Sequence, residues 1–139
     1  ILPRPLTRRG TDLRPIPLGA RGSFTLTVRP EHLANRFKDA GLPPVLATPV
    51  MIMIMENAAL DAIRPYLDAG ESAVGTEVAV RHLAAAPVGR QVTGEAEVTA
   101  IDGRAVRFAV RAREGDREIG NGTHARAVID IARFLRRLG

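Results

Sequence analysis

Thr48-Pro49-Val50-Met51-Ile52-Met53-Ile54-Met55-Glu56-Asn57-Ala58-Ala59-Leu60-Asp61-Ala62-Ile63 is the stretch that decides the fold. Threonine is a good N-cap, and proline at the first helical position gives up an N–H that would be unsatisfied anyway. No helix breaker follows before Pro65, and Asp68-Ala69-Gly70 closes the segment. Through Met55 the run is apolar on nearly every side, so its first half is expected to be buried all round. One helix of this kind cannot cover itself; the segments around it must wrap it.

Those segments read as strands. Ser23-Phe24-Thr25-Leu26-Thr27-Val28 alternates with Phe24, Leu26 and Val28 on one face, while residues 30 to 37 suit one helical turn and Gly41-Leu42-Pro43-Pro44 a loop. After Gly75 the period is two again: Thr76, Val78, Val80 and His82 share a face. Val92, Gly94, Ala96 and Val98 do the same, and Asp102-Gly103 signals a hairpin into Val106, Phe108 and Val110. Gly115-Asp116 is a second hairpin turn before a last strand from Glu118 to about Ile131. Hairpins make antiparallel neighbours, so the expectation is an α+β domain with a curved antiparallel sheet around one long central helix. This is the plan of the hot-dog fold. Such a sheet leaves an edge strand, which a homodimer would cover.

Charge narrows the partners. The 139-residue chain has 20 Lys+Arg against 15 Asp+Glu, a net +5, with 45% apolar residues and no cysteine. Disulfides, thiolate metal sites and cysteine nucleophiles are excluded. Four arginines against Asp12 in residues 1 to 17, and three more in residues 133 to 139, together exceed the whole net charge, leaving the body at −1. A basic surface built for nucleic acid would put its arginines on the body. Residues 1 to 18 therefore read as an extended, proline-rich basic arm, 19 to 132 as the domain and 133 to 139 as a basic tail. The longest apolar stretch falls short of the roughly 20 residues that cross a bilayer. The expectation is a cytoplasmic protein, trimmed or begun after its natural start, with neither nucleic acid nor membrane as partner.

Three residues stand out chemically. Glu56 ends the methionine and isoleucine run, where an unpaired carboxylate costs several kcal/mol, so it should meet a partner or titrate. A helix-face carboxylate bonded to the sheet is the plainer alternative. His82 should face the helix; alone it reads as a satisfied core histidine, but beside an inward carboxylate it becomes an acid/base candidate. Thr48 sits where the helix dipole and free N–H groups favour a carbonyl oxygen gaining charge, or is simply an N-cap. Gly75 suits a turn or close backbone approach, and two glycines interrupt Gly120-Asn121-Gly122-Thr123-His124-Ala125-Arg126, where His124 and Arg126 share a face. Histidines at 32, 82 and 124 lack metal-ligand spacing.

Ala47-Thr48, Met55-Glu56, Tyr66-Leu67, Gly75-Thr76, His82, Ala85-Ala86-Pro87 and Ile119 through Val128 together resemble the fluoroacetyl-CoA thioesterase-like family of hot-dog proteins. The resemblance implies a homodimeric hydrolase acting on a short or medium acyl-CoA, without cofactor beyond the CoA of its substrate. By position the family's catalytic threonine, glutamate and histidine fall on Thr48, Glu56 and His82, and its active-site glycine and arginine on Gly75 and Arg126. Glu56 would act as nucleophile or water activator, with His82 as acid/base partner. The phenylalanines of the fluoroacetyl-specific lid correspond to Asp39 and Leu42 here, with only Phe37 nearby, implying a less selective enzyme whose Leu42 helps shape the acyl pocket. The rival reading is a non-catalytic hot-dog dimer that binds acyl-CoA or a similar ligand.

Overall fold

The computed structural model describes residues 15 to 139, so most of the expected arm lies outside the described residues. Five strands form one sheet: β1 (Arg21–Thr27), β2 (Glu71–His82), β3 (Gln91–Asp102), β4 (Ala105–Glu114) and β5 (Arg117–Asp130). Helix α1 (Ala34–Phe37) is a single turn after a 3-10 turn at Pro30–His32; α2 (Thr48–Ile63) is the long helix; α3 (Ile131–Arg136) is short and holds part of the expected basic tail. The spatial order is β1-β3-β4-β5-β2 with every pair antiparallel. Strands β1 and β2, which flank α2 in sequence, are thus the two edges, and α2 crosses the inner face between them.

The crossing is set by missing side chains. A Cβ on Gly22 of β1 would overlap Ala58 O and Ala62 N of the helix, and one on Gly94 of β3 would lie 2.7 Å from Ile54 O. On β5, a Cβ on Gly120 would meet Met51 Sδ at 2.6 Å. Helix backbone and strand backbone therefore touch directly at β1 and β3, while at β5 a methionine side chain lies between them. Around it the alternating residues expected to face inward do so: Val92, Ala96 and Val98 on β3 and Val106, Phe108, Val110 and Ala112 on β4 are buried.

The helix departs from expectation in three ways. Its N-cap is Ala47 and not Thr48; Val50 N–H and Met51 N–H both donate to Ala47 O, at 3.0 and 3.1 Å. It ends at Ile63, because Pro65 cannot donate to the ladder, and a 3-10 turn at Arg64–Tyr66 finishes it. It is also not buried all round: Ile52, Met53, Glu56, Asn57 and Leu60 form a half-buried stripe.

The edges differ. On β1, Ser23 N–H donates to Asp61 Oδ2 at 3.0 Å, so the helix closes that edge. Strand β2 begins at Glu71, five residues before the expected start at Thr76, and among the described residues pairs with β5 alone. Its register shifts between Gly75 and Glu77, leaving Thr76 as the extra residue of a β-bulge. Thr76 therefore has no register partner on β5 and interrupts the plain alternation of Val78, Val80 and His82. The bulge instead carries Gly75 onto that face: Gly75 pairs with Arg126, Val78 with His124 and His82 with Gly120. Between β3 and β4 the two-residue turn is Gly103-Arg104, one position later than the sequence signal, with Gly103 at φ 59°.

Gly22→Ala and Gly94→Ala should each lower unfolding stability by about 1–3 kcal/mol, because overpacking outweighs the gain in strand preference. Urea denaturation checks this; unchanged midpoints would refute the direct backbone contact.

Candidate active site

Thr48, relieved of capping, turns its hydroxyl to the sheet: Oγ1 lies 2.8 Å from His82 Nδ1. The two residues come from the first turn of α2 and the last residue of β2. Burial pushes the His82 pKa below its usual value. The other ring nitrogen, Nε2, is buried and has no partner. A neutral imidazole with one nitrogen engaged and the other waiting is suited to proton transfer.

Glu56 is elsewhere. Two helical turns separate it from Thr48, about 12 Å along the axis. Its Oε2 lies 3.6 Å from Arg126 Nη1, and its side chain remains 36% exposed. The expected pairing of Glu56 with His82 therefore does not occur within one chain; the carboxylate meets a guanidinium instead. Gly75 explains how the carboxylate fits, since a Cβ there would stand 2.8 Å from Glu56 Oε2.

Behind Arg126 is a relay that sequence reasoning noted only as a shared strand face. His124 is fully buried and stacks on Phe108, with ring centroids 5.8 Å apart. Its Nδ1 is 2.8 Å from Glu77 O, a carbonyl that can only accept, so Nδ1 carries the proton. Nε2 is then a lone pair, and it accepts from Arg126 Nη1–H at 3.0 Å. Arg126 Nη2–H donates to Ala73 O at 2.7 Å, while its Nε is buried without a partner. Burial, opposed by the Glu77 bond, holds the His124 pKa below its usual value, and the neighbouring Arg126 charge adds to the lowering. Burial likewise lowers the Arg126 pKa, with the Glu56 carboxylate opposing. The signal in the sequence was the alternation of His124 and Arg126; the carbonyl that fixes the tautomer has no sequence signature.

Of the expected site residues, the structure thus gathers Gly75, Glu56 and Arg126 in one cluster and Thr48 with His82 in another. Leu42 belongs to neither; it lies in the loop ahead of α2, 39% exposed, with Phe37 exposed nearby. A broad depression of about 700 Å³ lies elsewhere, over outward residues such as Ser23, Glu95, Arg111 and Thr123, and contains none of the five. Among the described residues no three His, Asp or Glu side chains stand close enough to hold a metal, and no helix is long and apolar enough to cross a membrane.

A five-stranded antiparallel sheet curled about one helix, with a threonine, a histidine and a carboxylate on their shared interface, defines a hot-dog protein of the thioesterase type. The sequence profile of the fluoroacetyl-CoA-specific thioesterases matches residues 28–132. Fluoroacetyl-CoA thioesterase from Streptantibioticus cattleyicolor is 45% identical over 95 residues, 68% of each chain. A crystal structure of a fluoroacetyl-CoA thioesterase superposes with a TM-score of 0.84 at 36% identity, covering 89% of this chain and 96% of that one. A thioesterase-superfamily protein from Thermus thermophilus matches with a TM-score of 0.82 at 36% identity, over 91% and 95% of the two chains. The chain belongs to the fluoroacetyl-CoA-specific thioesterase family. It is a thioester hydrolase with acyl-CoA as its substrate class.

The sign of the His124 shift makes a stability prediction. The folded protein resists protonation of His124, whereas the unfolded chain takes a proton near pH 6.5, so the unfolded state binds more protons below that pH. The contribution of His124 is fully present above about pH 6.5 and is lost as pH falls through the lowered folded value. His124→Gln, whose amide can donate to Glu77 O and accept from Arg126, should flatten the fall of Tm between neutral pH and pH 5. An equally steep fall in the variant would refute it.

Proposed function

We propose that this protein hydrolyses short acyl-CoA thioesters at a site completed by a second copy of the chain, with Thr48, Glu56 and His82 as the reacting side chains. The observation that carries the reading is His82: Thr48 holds one ring nitrogen while the other is buried and unpartnered. A buried polar atom without a partner is costly, and a substrate atom would relieve it.

The second copy follows from β2. Among the described residues its outer edge has no strand paired to it, Val78 is 40% exposed, and the half-buried stripe of α2 adjoins it. Two such edges pair antiparallel only where residues on the same face oppose each other. A two-fold axis at Ala79 meets that condition. It sets Val78 against the partner subunit's Val80 and Glu77 against the partner subunit's Arg81, a pair of opposite charges. His82 then comes opposite the partner subunit's Gly75–Thr76 bulge. The Thr48–His82 pair of one copy is thereby brought to the Glu56–Arg126 pair of the other.

In that composite site Glu56 takes a proton from water as the water oxygen adds to the thioester carbonyl. The start of α2, the positive end of its dipole, faces the oxygen that gains charge. Collapse of the intermediate breaks the carbon–sulfur bond, and a proton passed through His82 leaves with the CoA sulfur. Thr48 fixes the imidazole, and Arg126, itself fixed by His124 and Ala73 O, orients the carboxylate. The reaction needs no metal and no cofactor beyond the substrate's own CoA.

Glu56→Ala and His82→Ala should each lower kcat by about a hundredfold or more, the usual scale for a lost acid or base. Mixing the two inactive variants under conditions that exchange subunits should restore about a quarter of wild-type activity, since half the dimers are mixed and each has one intact site of two. No recovery, with exchange demonstrated, would refute the composite site. Because Asp39 and Leu42 stand where the fluoroacetyl-specific lid has phenylalanines, kcat/KM for acetyl-CoA and fluoroacetyl-CoA should agree within about tenfold. A thioester panel tests this; a thousandfold preference for fluoroacetyl would overturn it.

A further inference from the structure

The basic residues of the C-terminal segment are not scattered. A depression of about 270 Å³ lies between the β3–β4 turn, the end of β5 and α3, and its lining includes Arg104, Val128, Asp130, Arg133, Phe134 and Arg137. Arg104 forms one wall, oriented by its Nη1–H donating to Val128 O at 3.1 Å. Asp130 is the single acid among the described lining residues, and its Oδ1 is engaged as the cap of α3, accepting from Arg133 N–H at 2.9 Å. Arg133 and Arg137 therefore bring two guanidiniums to a depression whose one described carboxylate is already hydrogen-bonded. Phe134, 37% exposed, offers an aromatic surface within the same depression.

Resting on acyl-CoA as the substrate class, we propose that this depression binds the phosphorylated adenosine end of CoA, with Arg133 and Arg137 pairing its phosphates and Phe134 packing on the adenine. Guanidiniums bind phosphate oxygens by two parallel charge-assisted bonds, and aromatic rings stack on nucleobases. The location suits the arm of the substrate. Asp130 lies four residues beyond Arg126 on β5, about 13 Å away, a span that the flexible pantetheine arm bridges. Arg126 in turn stands beside Glu56, where the thioester reacts. Arg133, Phe134 and Arg137 fall outside the region matched by the family profile, which ends at residue 132.

The test is equilibrium binding to the full chain by calorimetry, so it does not depend on turnover. The probes are CoA, 3′-dephospho-CoA and pantetheine, with wild type compared against Arg133→Ala/Arg137→Ala and Phe134→Ala. Wild type should prefer CoA to pantetheine by about tenfold or more, with 3′-dephospho-CoA in between, and the double arginine variant should lose that preference while keeping its Tm. Added salt should weaken CoA binding in wild type and have little effect in the double variant. Equal affinity of the wild type and the double variant for CoA would overturn the proposal, as would a short DNA duplex that displaces CoA at comparable concentration. The catalytic reading fails separately, by absence of CoA release from acyl-CoA in wild type.

Discussion

Everything in this fold depends on how closely α2 can approach the sheet. Where Gly22 and Gly94 meet Ala58, Ala62 and Ile54, backbone rests on backbone, and the helix cannot be lifted without opening a gap beneath it. That contact fixes the helix in both translation and rotation. Rotation decides which residues point toward the β2–β5 side, and so it aims Thr48 and Glu56, two turns apart, at the same two strands. Met51 over Gly120 extends the seat to the last of these. The long sulfur-containing side chain fills the space that a shorter residue would leave, and it adapts to the strand below.

Much of this was legible in the residues. Strict alternation on β3 and β4, two glycine-containing hairpin turns and one uninterrupted apolar helix suffice to specify an antiparallel sheet around a central helix. What was misread has a local physical cause each time. Thr48 satisfies every compositional rule for an N-cap, yet the cap is Ala47, and the threonine hydroxyl is hydrogen-bonded to His82 Nδ1 instead. The start of β2 was hidden because Gly75 resembles a strand boundary and is in fact the approach to a bulge. Methionine and isoleucine at Ile52 and Met53 suggested burial on all sides, but both are half-buried, because a hydropathy pattern does not show which neighbours are there to cover a side chain.

The candidate site was legible in its members and not in their distances. Thr48, Glu56, His82, Gly75 and Arg126 all lie on the helix–sheet interface, but one chain divides them into two groups. Periodicity reports which face a residue occupies; it does not report how far along that face it sits. Helical rise separates Thr48 from Glu56 by about 12 Å, and the extended register of β2 separates His82 from Gly75 by about 20 Å, so the two groups stay apart on both elements. The asymmetry of the edges bears on the same point. Asp61 engages the β1 edge by accepting from Ser23 N–H, and β2 pairs, among the described residues, with β5 alone.

The bulge at Thr76 has a consequence for how such sequences vary. Gly75 and His82 are an odd number of positions apart, and in a plain strand they would look in opposite directions. One surplus residue corrects the phase of the strand. Substitutions along β2 leave that phase alone, whatever they do to packing. Loss or gain of a single residue between these two positions would leave the sheet able to form while turning the glycine away from the carboxylate it accommodates. In this part of the chain the count of residues is therefore under tighter constraint than most of their identities, and length, more than similarity, distinguishes a strand that supports the chemistry from one that merely folds.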